Sequence, residues 1–186
     1  MDKNETTSVK KVYSSGTSVS TLNSKILADK LTLCEEWSLS TDLKLPNRST
    51  TGLRNFFSLY LNARYTKLDQ RILAVSVRPD QSNVMIMLVY KTGSSQTYKN
   101  NLMKKVIGDN WINLKISQIS GLYEIKIDSK LVYKKTNLTP KKWENVRLVI
   151  GNIDGKENNS TVVHYRNFEI KTCKTKGKKQ RLKIRS

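Results

Sequence analysis

The sequence of 186 residues is poor in the side chains that most often bind metal ions or act as nucleophiles. Its two cysteines, Cys34 and Cys173, are far apart and form no C-x-x-C spacing of the kind that holds zinc. Its single histidine is His164, so a metal site or a catalytic triad built on histidine has almost no material. We therefore expect no metal and no cofactor.

Long apolar runs are also missing. No stretch reaches the roughly 18 apolar residues that a membrane-spanning helix needs, so we expect no membrane span. The start of the chain, MDKNETTSVKK, is polar and lacks the apolar core of a secretory signal peptide. Taken literally, this start indicates a cytoplasmic or nuclear protein. The alternative is a mature or truncated form of a secreted protein, written with a starting Met.

Acidic residues are scarce relative to basic ones. There are 34 lysines and arginines against 15 aspartates and glutamates, and the net charge is +19. A charge of this size favours acidic partners, namely sulfated glycans, nucleic acid or anionic membrane, and says nothing about the fold. The charge is densest at the C-terminus, where residues 171–186 contain no acid.

Residues 174–186 predict a disordered basic tail, because like charges repel and little apolar surface exists to fold against. Within this tail, GKKQRL (177–182) fits a short heparin-binding pattern and also a nuclear-localisation pattern, and both depend on point charges and released counterions. A solubilising tail with no dedicated partner is the third interpretation. The candidate polyanion-binding residues are Lys174, Lys176, Lys178, Lys179, Arg181, Lys183 and Arg185.

Residues 1–21 are rich in Ser, Thr and Lys, and we expect this leader to be flexible. Between the leader and the tail, the hydrophobic pattern has a period of two. In EWSLSTDLKL (36–45) the apolar residues fall on one face and the polar residues on the other. The runs at 55–62, 71–78 and 84–91 are rich in β-branched or aromatic residues and also predict strands. Further strands are predicted at 110–119, 122–128, 145–152 and 162–172, and the turns at 120–121 and 128–129 predict hairpins. The run at 84–91 is nearly all apolar and predicts a central strand, whereas 22–33 predicts a weak helix or a strand.

Many antiparallel strands that each have one apolar face must pack as two sheets. We therefore predict an all-β fold, a two-sheet antiparallel β-sandwich of the jelly-roll type, that occupies residues 22–173.

Several features follow one another in a familiar order. Trp111 opens the strand WINLKISQ, the hairpin GLYEIKIDSKLVY follows, Pro140 precedes WENVRLVIGN, and the last strand is YRNFEI. This order resembles the concanavalin A-like lectin/glucanase superfamily, whose jelly rolls include laminin-G and pentraxin-type domains and extracellular modules of invertebrates. EWSLSTDLKLP resembles the early strand of that fold, which lies close to the last strand. The resemblance implies a jelly roll over about residues 22–172 but no single function, because this fold hosts lectins, glycosidases and adhesion modules alike.

The acidic residues do not predict an enzyme. Glycoside hydrolysis needs two positioned carboxylates. The acidic residues that come nearest to such a pair are Glu35 with Glu36, Glu124 with Asp128, and Glu144. Positions on solvated strand faces explain these acids better than a catalytic role does. The loop GNIDGKENN (151–159) is a candidate ligand loop through Asn152, Asp154 and Glu157, although an ordinary turn-rich loop is the simpler interpretation of the same residues.

The aromatic residues and the histidine predict packing rather than binding. Trp37, Trp111 and Trp143 stand at or beside strand starts, so core packing is favoured over sugar stacking. His164 follows the alternation of the last strand, in phase with Val162, Phe168 and Ile170, and predicts a packed or half-buried side chain. Candidate N-glycosylation sites in expected loops are Asn47, Asn158 and Asn159.

The resemblance also implies that the two ends of the domain meet, which makes Cys34 and Cys173 a candidate disulfide; two buried or free thiols are the alternative. Together these features favour a non-catalytic, extracellular binding or adhesion module for a glycan or a matrix protein, whose basic tail binds acidic polysaccharide. An intracellular protein that uses the tail to reach nucleic acid is the second hypothesis, and it would be nuclear or cytoplasmic. A glycoside hydrolase is the third.

Overall fold

The computed structural model describes residues 8–12, 18–20, 25–44, 54–61, 71–78, 83–92, 94–103, 110–136, 140–151 and 163–173. Every regular element in these ranges is a β-strand, and all strand pairs are antiparallel. No helix in this part of the chain is long and apolar enough to cross a membrane.

The strands form two sheets. The seven-stranded sheet has the order β1-β13-β4-β9-β10-β11, with β2 also paired to β13, and the six-stranded sheet has the order β3-β12-β5-β6-β7-β8. The strands of the first sheet are β1 (Ser8–Val12), β2 (Ser18–Ser20), β4 (Trp37–Lys44), β9 (Ile112–Ile119), β10 (Leu122–Ile127), β11 (Lys130–Lys135) and β13 (Val163–Cys173). Those of the second are β3 (Lys25–Leu33), β5 (Arg54–Leu61), β6 (Arg71–Arg78), β7 (Asn83–Thr92), β8 (Ser94–Met103) and β12 (Trp143–Ile150).

The chain passes between the sheets several times, after β2, β3, β4, β8, β11 and β12, and forms meanders within each sheet. This arrangement is a β-sandwich jelly roll, and the prediction of fold class is confirmed. The early strand β4 pairs with the last strand β13, as the resemblance implied.

The two predicted hairpin turns have the backbone geometry that short hairpins require. Ser120 and Gly121, between β9 and β10, have φ values of 49° and 73°, and Asp128 and Ser129, between β10 and β11, have values of 48° and 66°. Positive φ at both central residues is the signature of a type I′ turn, whose twist matches that of the strands it joins. These two turns place β9, β10 and β11 side by side.

Two segments agree with the strand predictions, and the leader differs from expectation. Residues 22–33 were predicted as a weak helix or a strand, and they contain strand β3. The leader (1–21) was expected to be flexible, yet Ser8–Val12 and Ser18–Ser20 form β1 and β2 on the flank of β13. The apolar run at 84–91 lies in β7, which is paired on both sides, by β6 and β8.

The core lies between the sheets and is filled by the inward-facing residues of both. In β4, β9 and β10 buried residues alternate with more exposed ones, as the period of two predicted. Phe57 of β5 and Phe168 of β13 meet across the sandwich edge to face, with ring centroids 5.2 Å apart. This geometry suits the quadrupoles of the two rings and ties the sheets together near the middle of β13.

The outer faces of the two sheets differ. In the six-stranded sheet, successive residues of β5 and β6 are buried on both faces, Phe56 to Tyr60 and Ile72 to Ser76 among them. In the seven-stranded sheet, the outward residues of β4, β9 and β10 are polar except for Ile119 and Leu122, which pair beside the hairpin turn, and most are exposed or half-buried. Among the strands whose side chains are described, β4, β9 and β10 therefore have a more open outer face than β5 and β6.

Candidate functional site

Polar side chains from three neighbouring strands meet on the outer face of the seven-stranded sheet. Asp42 lies on the middle strand, β4, directly opposite Asn113 of β9 on one side and Arg166 of β13 on the other. Directly opposed residues of an antiparallel pair point to the same face of a sheet. The three side chains are therefore brought together by strand register.

The carboxylate of Asp42 accepts three side-chain hydrogen bonds. Asn113 Nδ2 donates to Oδ1 over 2.8 Å, and Asn167 Nδ2 donates to Oδ2 over 2.8 Å. Arg166 Nε donates to the same Oδ2 over 3.2 Å. Hydrogen bonds to a charged acceptor are stronger than neutral ones, so Asp42 fixes the orientation of the three donors around it.

A bulge in β13 allows two consecutive residues, Arg166 and Asn167, to contact the same carboxylate. The register of β13 against β4 shifts between Arg166 and Glu169, and Asn167 has a φ of 53°. A bulge adds a residue to one strand and redirects the side chains that follow. The hydroxyl of Thr41, which is fully buried, donates to the carbonyl of Arg166 over 3.1 Å and so supports the bulge from beneath.

The other side of this group is held by the turn between β10 and β11. The backbone N–H of Asn113 donates to Asp128 Oδ1 over 2.8 Å, and the N–H of Asp128 donates to the carbonyl of Asn113 over 2.8 Å. This reciprocal pair fixes the backbone at the start of β9. The amide of Asn113 is thus positioned from both its backbone and its side chain.

Trp111 completes the group. Its side chain is half-buried, and the guanidinium carbon of Arg166 lies 4.3 Å from the centroid of its ring. A guanidinium stacked at this distance is attracted by the electrons of the ring face. We call Asp42, Trp111, Asn113, Arg166 and Asn167 the Asp42 cluster.

Asp42 is anionic under ordinary conditions. Partial burial, the largest single effect, raises the pKa of its carboxyl, but the hydrogen bonds from Asn113, Asn167 and Arg166, with the charge of Arg166, together outweigh it. The pKa of Asp42 therefore lies below the ordinary aspartate value of 3.8. The cluster therefore presents a carboxylate at neutral pH.

These five side chains suit the recognition of a polyol. The amides of Asn113 and Asn167 donate to Asp42 through nitrogen, and their carbonyl oxygens can accept from hydroxyl groups. Arg166 has further N–H donors, and Trp111 adds a half-buried aromatic ring. A sugar presents hydroxyl groups and an apolar face of C–H groups, and fixed polar groups beside an aromatic ring are what small-molecule sites use to orient such a ligand.

Most of the candidate site residues from the sequence lie outside the described residues. These are the seven basic residues of the tail, the loop residues Asn152, Asp154 and Glu157, and the sequon residues Asn47, Asn158 and Asn159. In the part of the chain that the structure describes, no group of three or more His, Cys, Asp or Glu residues could hold a metal ion.

Cys34, one of the two cysteines, lies beside the last strand. The N–H of Cys34 donates to Thr172 Oγ1 over 3.0 Å, and this hydroxyl donates in turn to the carbonyl of Thr32 over 3.1 Å. Cys34, directly after β3, is therefore held next to the residue that precedes Cys173 in β13. No free cysteine occurs among the described residues.

The tryptophans behave differently from one another. Trp37 is buried and packs edge to face on Tyr123, and Trp143 packs partly buried against the core, so core packing is confirmed for both. Trp111 differs, because it stacks with Arg166 at the Asp42 cluster. The position before Ile112 was expected to pack inward, but alternation from that buried residue turns Trp111 toward the outer face.

His164 is half-buried, as expected, and stands opposite Lys44. It was expected to be in phase with Phe168, but the bulge changes the phase of β13 between them. Tyr165 and Phe168 both point into the core, and their rings meet at 6.3 Å.

The carboxylates weighed for catalysis have local structural partners. Glu36 accepts from the N–H of Ser120 at a hairpin turn over 2.9 Å, and Asp128 accepts from Asn113. Glu124 forms an ion pair with Lys126 at 3.1 Å, and Glu144 pairs with Lys142.

The residues of the Asp42 cluster other than Trp111 were not identified as candidates from the sequence. The alternation of residues 36–45 places Asp42 in the polar row of its strand and shows nothing further about it. Only strand order brings residues 42, 113 and 166 together, and the sequence gives no direct signal of that order. The sequence feature that could have indicated this cluster is Trp111 followed two residues later by Asn113, which alternation places on the outer face.

Comparison with known proteins supports the fold. No family model matches the chain, and no curated protein matches it. Among solved structures, the binding domain of botulinum neurotoxin serotype G is similar with a TM-score of 0.55 and 13% identity, over 91% of this chain and 44% of that one. The serotype D ligand-binding domain in complex with N-acetylneuraminic acid has a TM-score of 0.53 and 15% identity, over 90% and 39%.

Alginate lyase A1-II′, a member of polysaccharide lyase family 7, has a TM-score of 0.52 and 9% identity, over 76% of this chain and 63% of the lyase. The chain spans less than two thirds of the length of each of these structures. At such low identity they establish a shared jelly-roll fold and nothing finer.

Proposed function

We propose that this protein is a non-catalytic glycan-binding module related to the concanavalin A-like superfamily, and that its Asp42 cluster contacts the sugar. The observation that carries the proposal is the fixed carboxylate of Asp42, ringed by two amides and an arginine that stacks on Trp111. The similar structures include a domain in complex with N-acetylneuraminic acid and an alginate lyase, which makes a glycan ligand reasonable for this fold.

The test is a glycan array, followed by titration of the best ligand against Trp111→Ala and Asn113→Ala. We expect each variant to weaken binding by about tenfold, the equivalent of about 1.4 kcal/mol. Binding is measured at a temperature at which both variants are fully folded, so that lost binding reports the site.

A matched control exists on the other sheet. Asp29 of β3 pairs with Arg147 of β12, with Arg147 Nε 2.7 Å from Asp29 Oδ1. Asp29→Ala removes a carboxylate paired with arginine, as Asp42→Ala does, but away from the cluster. Equal loss of binding in the two variants would contradict the assignment of the site.

The absence of catalysis is part of the proposal and has its own test. A lyase would produce unsaturated sugar ends and a hydrolase would produce new reducing ends. Incubation with alginate and with β-glucans should give neither. Products that disappear on changing Glu124 or Asp128 would support the glycoside hydrolase hypothesis instead.

We also propose that the protein acts outside the cell and that Cys34 and Cys173 form a disulfide. The support is that Cys34 is not a free thiol, that Cys173 is the other cysteine of the chain, and that the Thr172 contact holds Cys34 beside it. Thiol titration of the native protein tests this. Two reactive thiols would favour the intracellular, nucleic-acid-associated hypothesis.

The basic tail is proposed to add affinity for acidic polysaccharide. Retention on heparin in a salt gradient, compared for residues 1–186 and 1–173, measures how much the tail contributes to the affinity. Late elution of the full chain and early elution of the shorter one would support the tail as an anchor. Unchanged retention would contradict it. A matrix protein remains the alternative ligand class for the sandwich.

A further inference from the structure

Basic side chains outnumber acidic ones, four to two, in the two rows of the outer face that lie next to the Asp42 cluster on the seven-stranded sheet. The strand register defines these two cross-strand rows. One runs Glu169, Ser40, Lys115, Lys126 and Leu131, and the other runs Lys171, Ser38, Ser117, Glu124 and Lys134, each from β13 to β11. Each row crosses five strands at a spacing of about 4.8 Å per strand, so the face has room for an extended ligand that runs across the strands.

Lys115 and Lys126 form a like-charge pair on this face, and the register places a second pair of lysines, Lys10 and Lys171, opposite each other on β1 and β13. Lys115 and Lys126 stand directly opposite one another on β9 and β10. Like charges in this position destabilise a sheet. Glu124, 3.1 Å from Lys126, offsets part of the repulsion, but Lys115 faces Ser40 on its other side and has no acid opposite it. An anionic group bound between the two ammonium groups would relieve this repulsion.

We infer that this outer face binds a linear acidic polysaccharide that crosses the strands, with its anionic groups between Lys115 and Lys126 and a neighbouring sugar unit at the Asp42 cluster. The inference rests on the proposed function, and it names the ligand class of that site. Lys134 and Lys171 extend the positive charge toward the two edges of the sheet.

The distribution of charge favours a polysaccharide over a nucleic acid. Phosphates are closely and regularly spaced along a nucleic acid strand, and the carboxylate of Asp42 would repel those that reached the cluster. A polyuronate or a sulfated glycan carries hydroxyl groups between its anions. Hydroxyl groups can donate to Asp42 while the anions contact the lysines, so both parts of the face are complementary to one ligand.

The test compares three double variants of the full chain that lose the same charge. Lys115→Gln/Lys126→Gln changes the outer face, Lys141→Gln/Lys142→Gln changes an exposed segment before β12, and Lys178→Gln/Lys179→Gln changes the tail. The probes are oligosaccharides of a polyuronate, of heparin, and of the same polyuronate with its carboxyl groups chemically reduced. A single-stranded DNA of similar length is the fourth probe.

We expect the outer-face variant to weaken binding of an acidic oligosaccharide by about tenfold and to flatten its salt dependence, with less than about twofold change in the Lys141/Lys142 variant. The polyuronate and heparin arms identify carboxylate or sulfate as the preferred anion. Equal losses in the outer-face and Lys141/Lys142 variants, or loss confined to the tail variant, would overturn the inference.

The remaining outcomes separate this inference from the proposed function. Equal binding of the reduced and the acidic polyuronate would leave glycan binding in place and refute the acidic class. Binding to no glycan at all would refute both. Tighter binding of DNA than of every glycan, reduced in the outer-face variant, would assign the face to nucleic acid and overturn the inference.

Discussion

Replacement of Asp42 by alanine should destabilise the protein much more than replacement of Asp29. The side chain of Asp42 is 16% exposed and accepts three side-chain hydrogen bonds. Its removal leaves two oriented amides and a partly covered guanidinium without their acceptor. We expect a loss of about 2 kcal/mol in the free energy of unfolding, because hydrogen bonds to a charged group are stronger than neutral ones.

Asp29 provides the reference for this estimate. Its side chain is 42% exposed, and its partner is Arg147. An ion pair this accessible to water contributes about 0.5 kcal/mol. Urea unfolding of the two alanine variants measures the difference directly, and for a chain of this length the Asp42 variant should also melt about 4–8 °C below the wild type.

The pH dependence gives a second, independent readout. The pKa of Asp42 is lowered in the folded state, so its contribution is fully present above the ordinary aspartate value of 3.8 and is lost as pH falls through the folded value. The stability difference between wild type and Asp42→Ala should stay constant from about pH 8 to about pH 5 and shrink below about pH 4. Equal destabilisation by the two alanine variants, or a difference that grows in acid, would refute this account of the cluster.

Two further predictions concern the rest of the sheet and its edge. Lys115→Gln should raise the free energy of unfolding by about 0.2–1 kcal/mol, because it removes a like-charge pair with Lys126; urea unfolding checks this, and a lower stability would contradict the cross-strand repulsion. Cys34→Ser should lower the free energy of unfolding by about 2–4 kcal/mol if the proposed disulfide forms, whereas a reducing agent should leave the variant itself unchanged.

The alternation of apolar and polar residues was sufficient to predict the faces of β4, β9 and β10. A period of two leaves little freedom once one face must be buried, and a slip by one residue would expose the whole apolar row. The turns were predictable for a similar reason, since short polar pairs such as Ser120-Gly121 and Asp128-Ser129 tolerate the positive φ that a tight hairpin needs.

The site was not predictable in the same way. It depends on the order of strands in the sheet, which places β4 between β13 and β9, and on a bulge that interrupts the alternation of β13. Continuing the two-residue period through β13 placed His164 on the same face as Phe168. This prediction is wrong by one position, because the bulge lies between the two residues. The bulge in β13 is a local change in the backbone, and the buried hydroxyl of Thr41 supports it. The sequence of β13 itself contains no pattern that predicts this bulge.

The two parts of the outer face should respond to mutation in opposite directions, and this contrast is the strongest check on the combined proposals. The Asp42 cluster satisfies its own hydrogen bonds, so disrupting it should reduce both stability and binding. The Lys115–Lys126 pair opposes folding, so neutralising it should increase stability while binding of an acidic glycan falls. If the surface served only solubility, changes in stability would not be accompanied by changes in glycan binding at either part of the face. Loss of function together with a gain in stability is the pattern expected where a protein retains an unfavourable arrangement for its ligand.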